Sequence, residues 1–165
     1  MKGINPEIPF KHIPLEDQKA IEAGKMDEAD ATVFTLKALS YGDQMKLEDG
    51  GAKYTHKGGG KGDDGASVEM EVLSGTTADA ILMGGIVSIE NFEYPDPEGV
   101  GGFSQVVWPV AGTVNPANNK VFSAKGDSLN RARRRVLGYM PGTLRTEIAN
   151  VIGKGSSITE EDASD

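Results

Sequence analysis

The side chains that could carry acid–base or metal chemistry are few and lie in segments rich in proline or glycine. The chain has two histidines, His12 near three prolines and His56 among glycines. A general base or a metal ligand must be held in a fixed orientation, and neither segment predicts a rigid scaffold. The chain has no cysteine, which excludes thiol chemistry and zinc sites built on thiolate. The histidines therefore predict neither a catalytic nor a metal site.

The stretch KGGGKGDDG superficially resembles a phosphate-binding loop. A Walker motif requires Ser or Thr after its lysine, but Lys61 is followed by Gly62, and no buried strand leads into the stretch. Asp63 and Asp64 lack the spaced oxygen ligands of a calcium loop. We therefore predict no catalytic residue, no cofactor and no metal, and a protein that is not an enzyme.

All five arginines lie in one C-terminal stretch, RARRRVLGYMPGTLRTEIANVI. A cap at Asp127 or Ser128 and apolar residues at helical spacing predict a helix to about Tyr139. Its apolar stripe contains Leu129, Ala132, Val136, Leu137 and Met140, and its opposite arc contains Arg131, Arg134 and Arg135. Arg133 falls within the stripe, where an unpaired guanidinium would be costly. We therefore predict that Arg133 forms a structural salt bridge.

Pro141 predicts the start of a second helix, which Gly153 would end. Arginine binds carboxylates through a planar fork and is enriched at protein interfaces. The candidate protein-interface residues of both helices are therefore Arg131, Arg134, Arg135, Arg145, Leu144, Ile148 and Val151. A solvated helix face remains open as an alternative interpretation.

Charge is unevenly distributed along the chain. Residues 1–100 carry a net charge of −10 and residues 101–165 a net charge of +2. Complementary surfaces of this kind favour contacts between copies of one chain, and solubility alone is the alternative interpretation. The overall charge of −8 disfavours binding to nucleic acid, which needs a basic surface. No apolar stretch reaches the ~20 residues of a membrane span and the N-terminus lacks a signal-peptide core, so we expect no membrane partner.

The length of 165 residues fits a single domain. We predict an extended N-terminal arm over residues 1–30, with a short helix near 15–23, and one α+β domain over 31–155. That domain would carry a flexible glycine-rich excursion at 50–66 and be followed by an acidic tail at 156–165.

Strands are predicted near residues 32–39, 86–92 and 103–108, forming a small, mainly antiparallel sheet covered by the C-terminal helices. In the first strand, Phe34 and Leu36 alternate with Thr35. Ser40 is a predicted helix N-cap with Asp43 at capping-box spacing. The paired glycines Gly84 and Gly85 are predicted to end a helix in the left-handed conformation.

Four stretches together, TVFTLKALS, LMGGIVSIENFE, PGTLRTEIANVI and SSITEED, resemble small proteins encoded in the structural gene blocks of tailed bacteriophages. That family often carries a Gly-Leu-x-Gly-Trp-x-Asn-Phe element, a proline-started helix and a Ser-x-Leu-Thr-Glu-Glu tail. Asn91 and Phe92 fit the first element, whereas Ser88 and Ile89 replace its Gly-Trp, and the 50–66 excursion has no counterpart.

The resemblance implies a non-enzymatic structural or connector protein of the virion, assembled in the host cytoplasm. Its expected partners are copies of itself and phage capsid, portal or tail proteins. Two alternatives stay open. One is a tail-assembly chaperone absent from the mature particle, which would dock its partner in a groove lined by Leu144, Ile148 and Val151. The other is a DNA-binding morphogenesis factor.

Overall fold

The computed structural model describes residues 7–49, 53–57, 67–71, 75–95, 102–116 and 118–161. The described residues form five α-helices and seven short strands, and all strand pairs are antiparallel, so the predicted α+β class is confirmed. The helices are α1 (Leu15–Glu22), α2 (Tyr41–Asp49), α3 (Gly75–Gly85), α4 (Ser128–Tyr139) and α5 (Gly142–Glu161). The strands are β1 (Phe10–His12), β2 (Val33–Leu36), β3 (Lys53–Lys57), β4 (Ser67–Glu71), β5 (Ile86–Glu90), β6 (Phe92–Pro95) and β7 (Phe103–Val106).

The backbone contacts group the chain into two compact units. The single domain expected from the length of the chain stays a prediction. The first, which we call the sheet unit, consists of Phe10–Leu36 and Ile86–Leu144. The second, which we call the hairpin unit, consists of Met1–Pro9, Lys37–Gly85 and Arg145–Asp165. Each unit is assembled from segments distant in sequence.

The sheet unit is built on a three-stranded sheet of order β1-β2-β5. The predicted alternation in β2 is confirmed, because Phe34 and Leu36 are fully buried while Thr35 is only half-buried. Phe34 also meets Phe92 of β6, with 6.5 Å between the ring centroids. This buried face, together with Ile89 of β5, forms the apolar centre of the unit.

The N-terminal residues from Phe10 onward do not form the predicted arm. Phe10–His12 pairs with β2, and Pro14 is buried. The short helix predicted near 15–23 is present as α1, where the Asp17 carboxylate accepts a hydrogen bond of 2.8 Å from the Thr32 backbone N–H. The polar composition suggested an arm, but these hydrogen bonds tie the segment to the sheet. Residues 1–6 of the predicted arm lie outside the described residues.

The strands predicted at 86–92 and 103–108 do not share one sheet. The first is divided at Asn91, whose φ of 56° separates β5 from β6. Strand β6 then pairs with β7 in a sheet of its own. The Asn91 Nδ2 amide donates to the carbonyl oxygens of Ala29 at 3.0 Å and Ala31 at 3.1 Å, which fixes this change of direction.

In the hairpin unit, β3 and β4 form an antiparallel ladder, so the predicted excursion at 50–66 contains a strand. Residues 58–66 lie outside the described residues. Helix α3 follows β4 and ends at Gly85. Helix α5 continues past Gly153, which therefore does not end it, and part of the predicted acidic tail is helical up to Glu161. Residues 162–165 lie outside the described residues.

Ser40 caps α2 as predicted. Its hydroxyl accepts a hydrogen bond of 3.2 Å from the Asp43 backbone N–H and donates one of 2.8 Å to the Asp43 carboxylate. Ser40→Ala removes both bonds, and we expect the free energy of unfolding to fall by about 1 kcal/mol. Urea denaturation provides the measurement, and Ser40→Asp, which keeps an acceptor, is the control. Equal stability of Ser40→Ala and the parent chain would contradict the cap.

Candidate protein-interaction surface

Helix α4 is the element that presents the arginines, and it begins and ends as the sequence predicted. The Arg131 backbone N–H donates to the Asp127 carbonyl at 2.9 Å, and the Ser128 hydroxyl donates to the Ser123 and Lys125 carbonyls. Val136 and Leu137 are buried on its inner face. This anchoring gives the outer face a defined orientation within the sheet unit.

Three arginines, Arg131, Arg134 and Arg135, are exposed on the outer face of α4, and we call them the arginine arc. Among the residues that the structure describes, none forms a salt bridge or hydrogen bond with an arc side chain. The helix itself contains no acidic residue. Arg131 lies three and four positions from the other two, spacings at which like charges destabilise a helix by roughly 0.2–0.5 kcal/mol per pair. The arc is therefore a concentrated and locally uncompensated positive charge.

Arg133 lies within the apolar stripe, as predicted, but its contacts differ from the predicted salt bridge. Its Nε donates to the Pro109 carbonyl at 2.9 Å, and its guanidinium carbon lies 5.4 Å from the centre of the Trp108 ring. In the described part of the chain, a carbonyl and an aromatic face thus replace the expected carboxylate. Burial lowers the pKa of Arg133 from its ordinary value, although a guanidinium stays charged at neutral pH.

Arg133→Lys is expected to lower the free energy of unfolding by about 1 kcal/mol, because lysine lacks both the Nε donor and the planar group that faces the ring. Arg134→Lys, on the exposed arc, is the matched control and should change stability by less than about 0.5 kcal/mol. Trp108 is the only tryptophan, so its fluorescence reports unfolding and this contact together. An unchanged spectrum and stability in Arg133→Lys would contradict the assignment.

Two aromatic features near α4 had no signal in the sequence. Tyr94 of β6 stacks on Tyr139 at 4.0 Å between ring centroids, which ties the end of α4 to the second sheet. Trp108 is 4% exposed, and its indole Nε1 has no hydrogen-bond acceptor among the described residues. The tyrosine stack and the contact between Trp108 and Arg133 each join segments far apart in sequence, so local spacing could not reveal them.

The interface candidates on and beside α5 have different environments. Arg145 lies 4.0 Å from the Asp79 carboxylate, and both side chains are partly exposed. Leu144 and Val151 are half-buried. Ile148 is fully buried. Its prediction as an interface residue is therefore wrong, because its side chain packs in the core. The predicted groove of Leu144, Ile148 and Val151 therefore loses its central member.

Of the residues considered for acid–base or metal chemistry, the structure describes the side chain of His12. His12 lies in β1 and not in a mobile arm, and it lines a cleft of about 440 Å³ with Lys11, Ile13, Gln18, Glu28 and Val33. Asp63 and Asp64 lie outside the described residues, and so does the His56 side chain. Within the described ranges, no group of three or more His, Asp or Glu side chains is arranged to hold a metal ion. Nor does any helix there have the length and apolarity needed to span a membrane.

Comparison with known proteins identifies no relative of this chain. No protein-family model, curated protein or solved structure matches the chain. The interpretation of α4 therefore depends on the chemistry of its own surface.

Proposed function

We propose that this chain is a non-enzymatic structural or connector protein of a tailed-phage virion. It would assemble through contacts with copies of itself and with capsid, portal or tail proteins, in the host cytoplasm. The observation that carries the proposal is the arginine arc, a positive surface without an ion-pair partner among the described residues, on a chain with a net charge of −8. The resemblance of four sequence stretches to phage structural proteins supplies the biological setting.

The chemistry of the arc supports a protein partner. Each guanidinium can bind a carboxylate through two parallel hydrogen bonds, and arginine beside aromatic residues is typical of interface centres. Tyr139 is 38% exposed and lies one helical turn from Arg135. An acidic protein surface would provide the carboxylates that the described residues do not bring to the arc.

Nucleic acid fits this surface less well. A polyanion would meet three exposed arginines but would also be repelled by the acidic remainder of the chain. The chaperone alternative loses support for a separate reason, because Ile148 is fully buried and cannot line an open docking groove.

A phage carrying Arg131→Glu, Arg134→Glu and Arg135→Glu tests the function. We expect a severe loss of infectious particles and an accumulation of unassembled structural proteins, because the reversed charges repel the acidic partner. The matched control replaces the same residues with lysine, which keeps the charge. Thermal unfolding of both purified variants should resemble the parent, since the three side chains are exposed. A normal yield of particles from the glutamate variant would contradict the proposal.

A further inference from the structure

The sheet unit carries an acidic surface as well as a basic one. Helix α1 and the 3₁₀ turn that follows it span residues 15–30, which we call the acidic segment. It contains six acidic residues and two lysines, a net charge of −4. The Glu16, Glu22 and Glu28 side chains are exposed, and no described residue forms an ion pair with them. The acidic segment therefore presents a net negative charge, opposite in sign to the arginine arc.

The two surfaces match in chemistry as well as in charge. Each is presented by a helix of the same unit, so the match does not depend on how the two units are arranged. Each also exposes one large apolar side chain beside its charges. Leu15 is 53% exposed next to Glu16, and Tyr139 is 38% exposed one turn from Arg135. An apolar contact bordered by ion pairs is the composition expected of a specific protein interface.

The two surfaces do not satisfy each other within one chain. Side chains of both sets are exposed, and no ion pair joins them among the described residues. Both surfaces are therefore available for contacts between separate copies. A contact between two different surfaces of identical chains is heterologous, and its repetition gives a closed ring or an open filament.

We infer that copies of this chain associate head to tail, with the arginine arc of one copy against the acidic segment of the next. The inference rests on the proposed function in taking a protein as the partner of the arc, and it names that partner as a second copy. Because the attraction is between exposed charges, the association weakens as the salt concentration rises.

Sedimentation velocity of the purified full chain, at low and high salt, tests this inference with three variants. The first reverses the arc with Arg131→Glu, Arg134→Glu and Arg135→Glu. The second reverses the acidic segment with Glu16→Lys, Glu22→Lys and Glu28→Lys. The third is a control that reaches the same net charge as the first through Lys37→Glu, Lys46→Glu and Lys120→Glu, all exposed positions.

We expect the parent chain to form salt-sensitive oligomers and each of the first two variants to raise the apparent Kd at least about tenfold. The control variant should retain more of the association than the arc variant. An equimolar mixture of the first two variants should associate again, because each reversed surface then meets a complementary one. Recovery in the mixture also shows that both variants are folded.

Several results would overturn the inference. These are a parent chain that stays monomeric, an acidic-segment variant that associates like the parent, and a mixture that does not recover. Binding of duplex DNA in place of self-association would also overturn it. Failure of the proposed function is a separate result. If the two charge-reversal variants and their mixture behave as expected but the chain is absent from virions, the head-to-tail association is supported and only the virion assignment is wrong.

Discussion

Gly85→Ala is expected to lower the free energy of unfolding by about 1–3 kcal/mol, because the hairpin unit has no space for one additional methyl group there. A Cβ at this position would lie 2.5 Å from Cδ1, 2.7 Å from Cγ2 and 2.8 Å from Cγ1 of Ile152. The Ile152 side chain is fully buried, so it cannot swing into solvent to relieve the clash. Chemical denaturation followed by circular dichroism gives the measurement.

Gly138→Ala is the matched control for this substitution. Gly138 lies in α4, and a Cβ there would meet nothing within 4 Å. The same chemical change should therefore raise stability by up to about 1 kcal/mol, through the better helix propensity of alanine. Combining Gly85→Ala with Ile152→Ala should cost less than the sum of the two single changes, since the second removes the clashing atoms. Strict additivity, or a neutral Gly85→Ala, would contradict the close packing.

Asn91→Asp is expected to lower the free energy of unfolding by about 1–3 kcal/mol. The Asn91 amide donates to the carbonyl oxygens of Ala29 and Ala31, and an ionised carboxylate would present oxygen to both. Both side chains tolerate the left-handed backbone that this position requires, with φ at 56°. The expected loss of stability therefore comes from the hydrogen bonds and not from the backbone conformation.

Asn91→Gly is the control, because it keeps the backbone freedom and removes the amide without adding repulsion. We expect it to be more stable than Asn91→Asp at neutral pH. The introduced carboxyl can donate to a carbonyl only when protonated, so folding should raise its pKa. The penalty of Asn91→Asp should therefore shrink as the pH falls from 7 towards about 4. Equal stability of the two variants across this range would contradict the assigned contacts.

Elements that are specified by residues close together in the sequence could be predicted from it. Helix α4 was predictable because its apolar residues recur at helical spacing, which fixed both its ends and its exposed arc. The α2 cap was predictable because Ser40 and Asp43 are three residues apart. In β2, strict alternation around Phe34 identified the buried face. In each case a few neighbouring residues contain all the information.

Features that depend on contacts between distant residues could not be predicted. The alternation of IVSIENF gives no sign that the strand divides at Asn91, because the carbonyls that hold its amide are about 60 positions earlier. The two glycines before β5 suggested a left-handed helix end. Neither has a positive φ among the described residues, and Gly85 instead provides room for Ile152. The position of Arg133 in the apolar stripe indicates that it needs a partner, but it does not reveal that the partners are a carbonyl and a ring brought close by folding.

The central claim is the proposal that this chain is a structural component of a tailed-phage virion. Its copy number in purified virions tests that proposal most directly. Quantitative mass spectrometry against the major capsid protein would measure it. The account predicts a symmetric multiple, since a structural or connector protein that joins copies of itself must occur in a fixed number per particle. Absence from mature particles, with abundance in infected cells, would contradict the account and favour an assembly factor that leaves before completion.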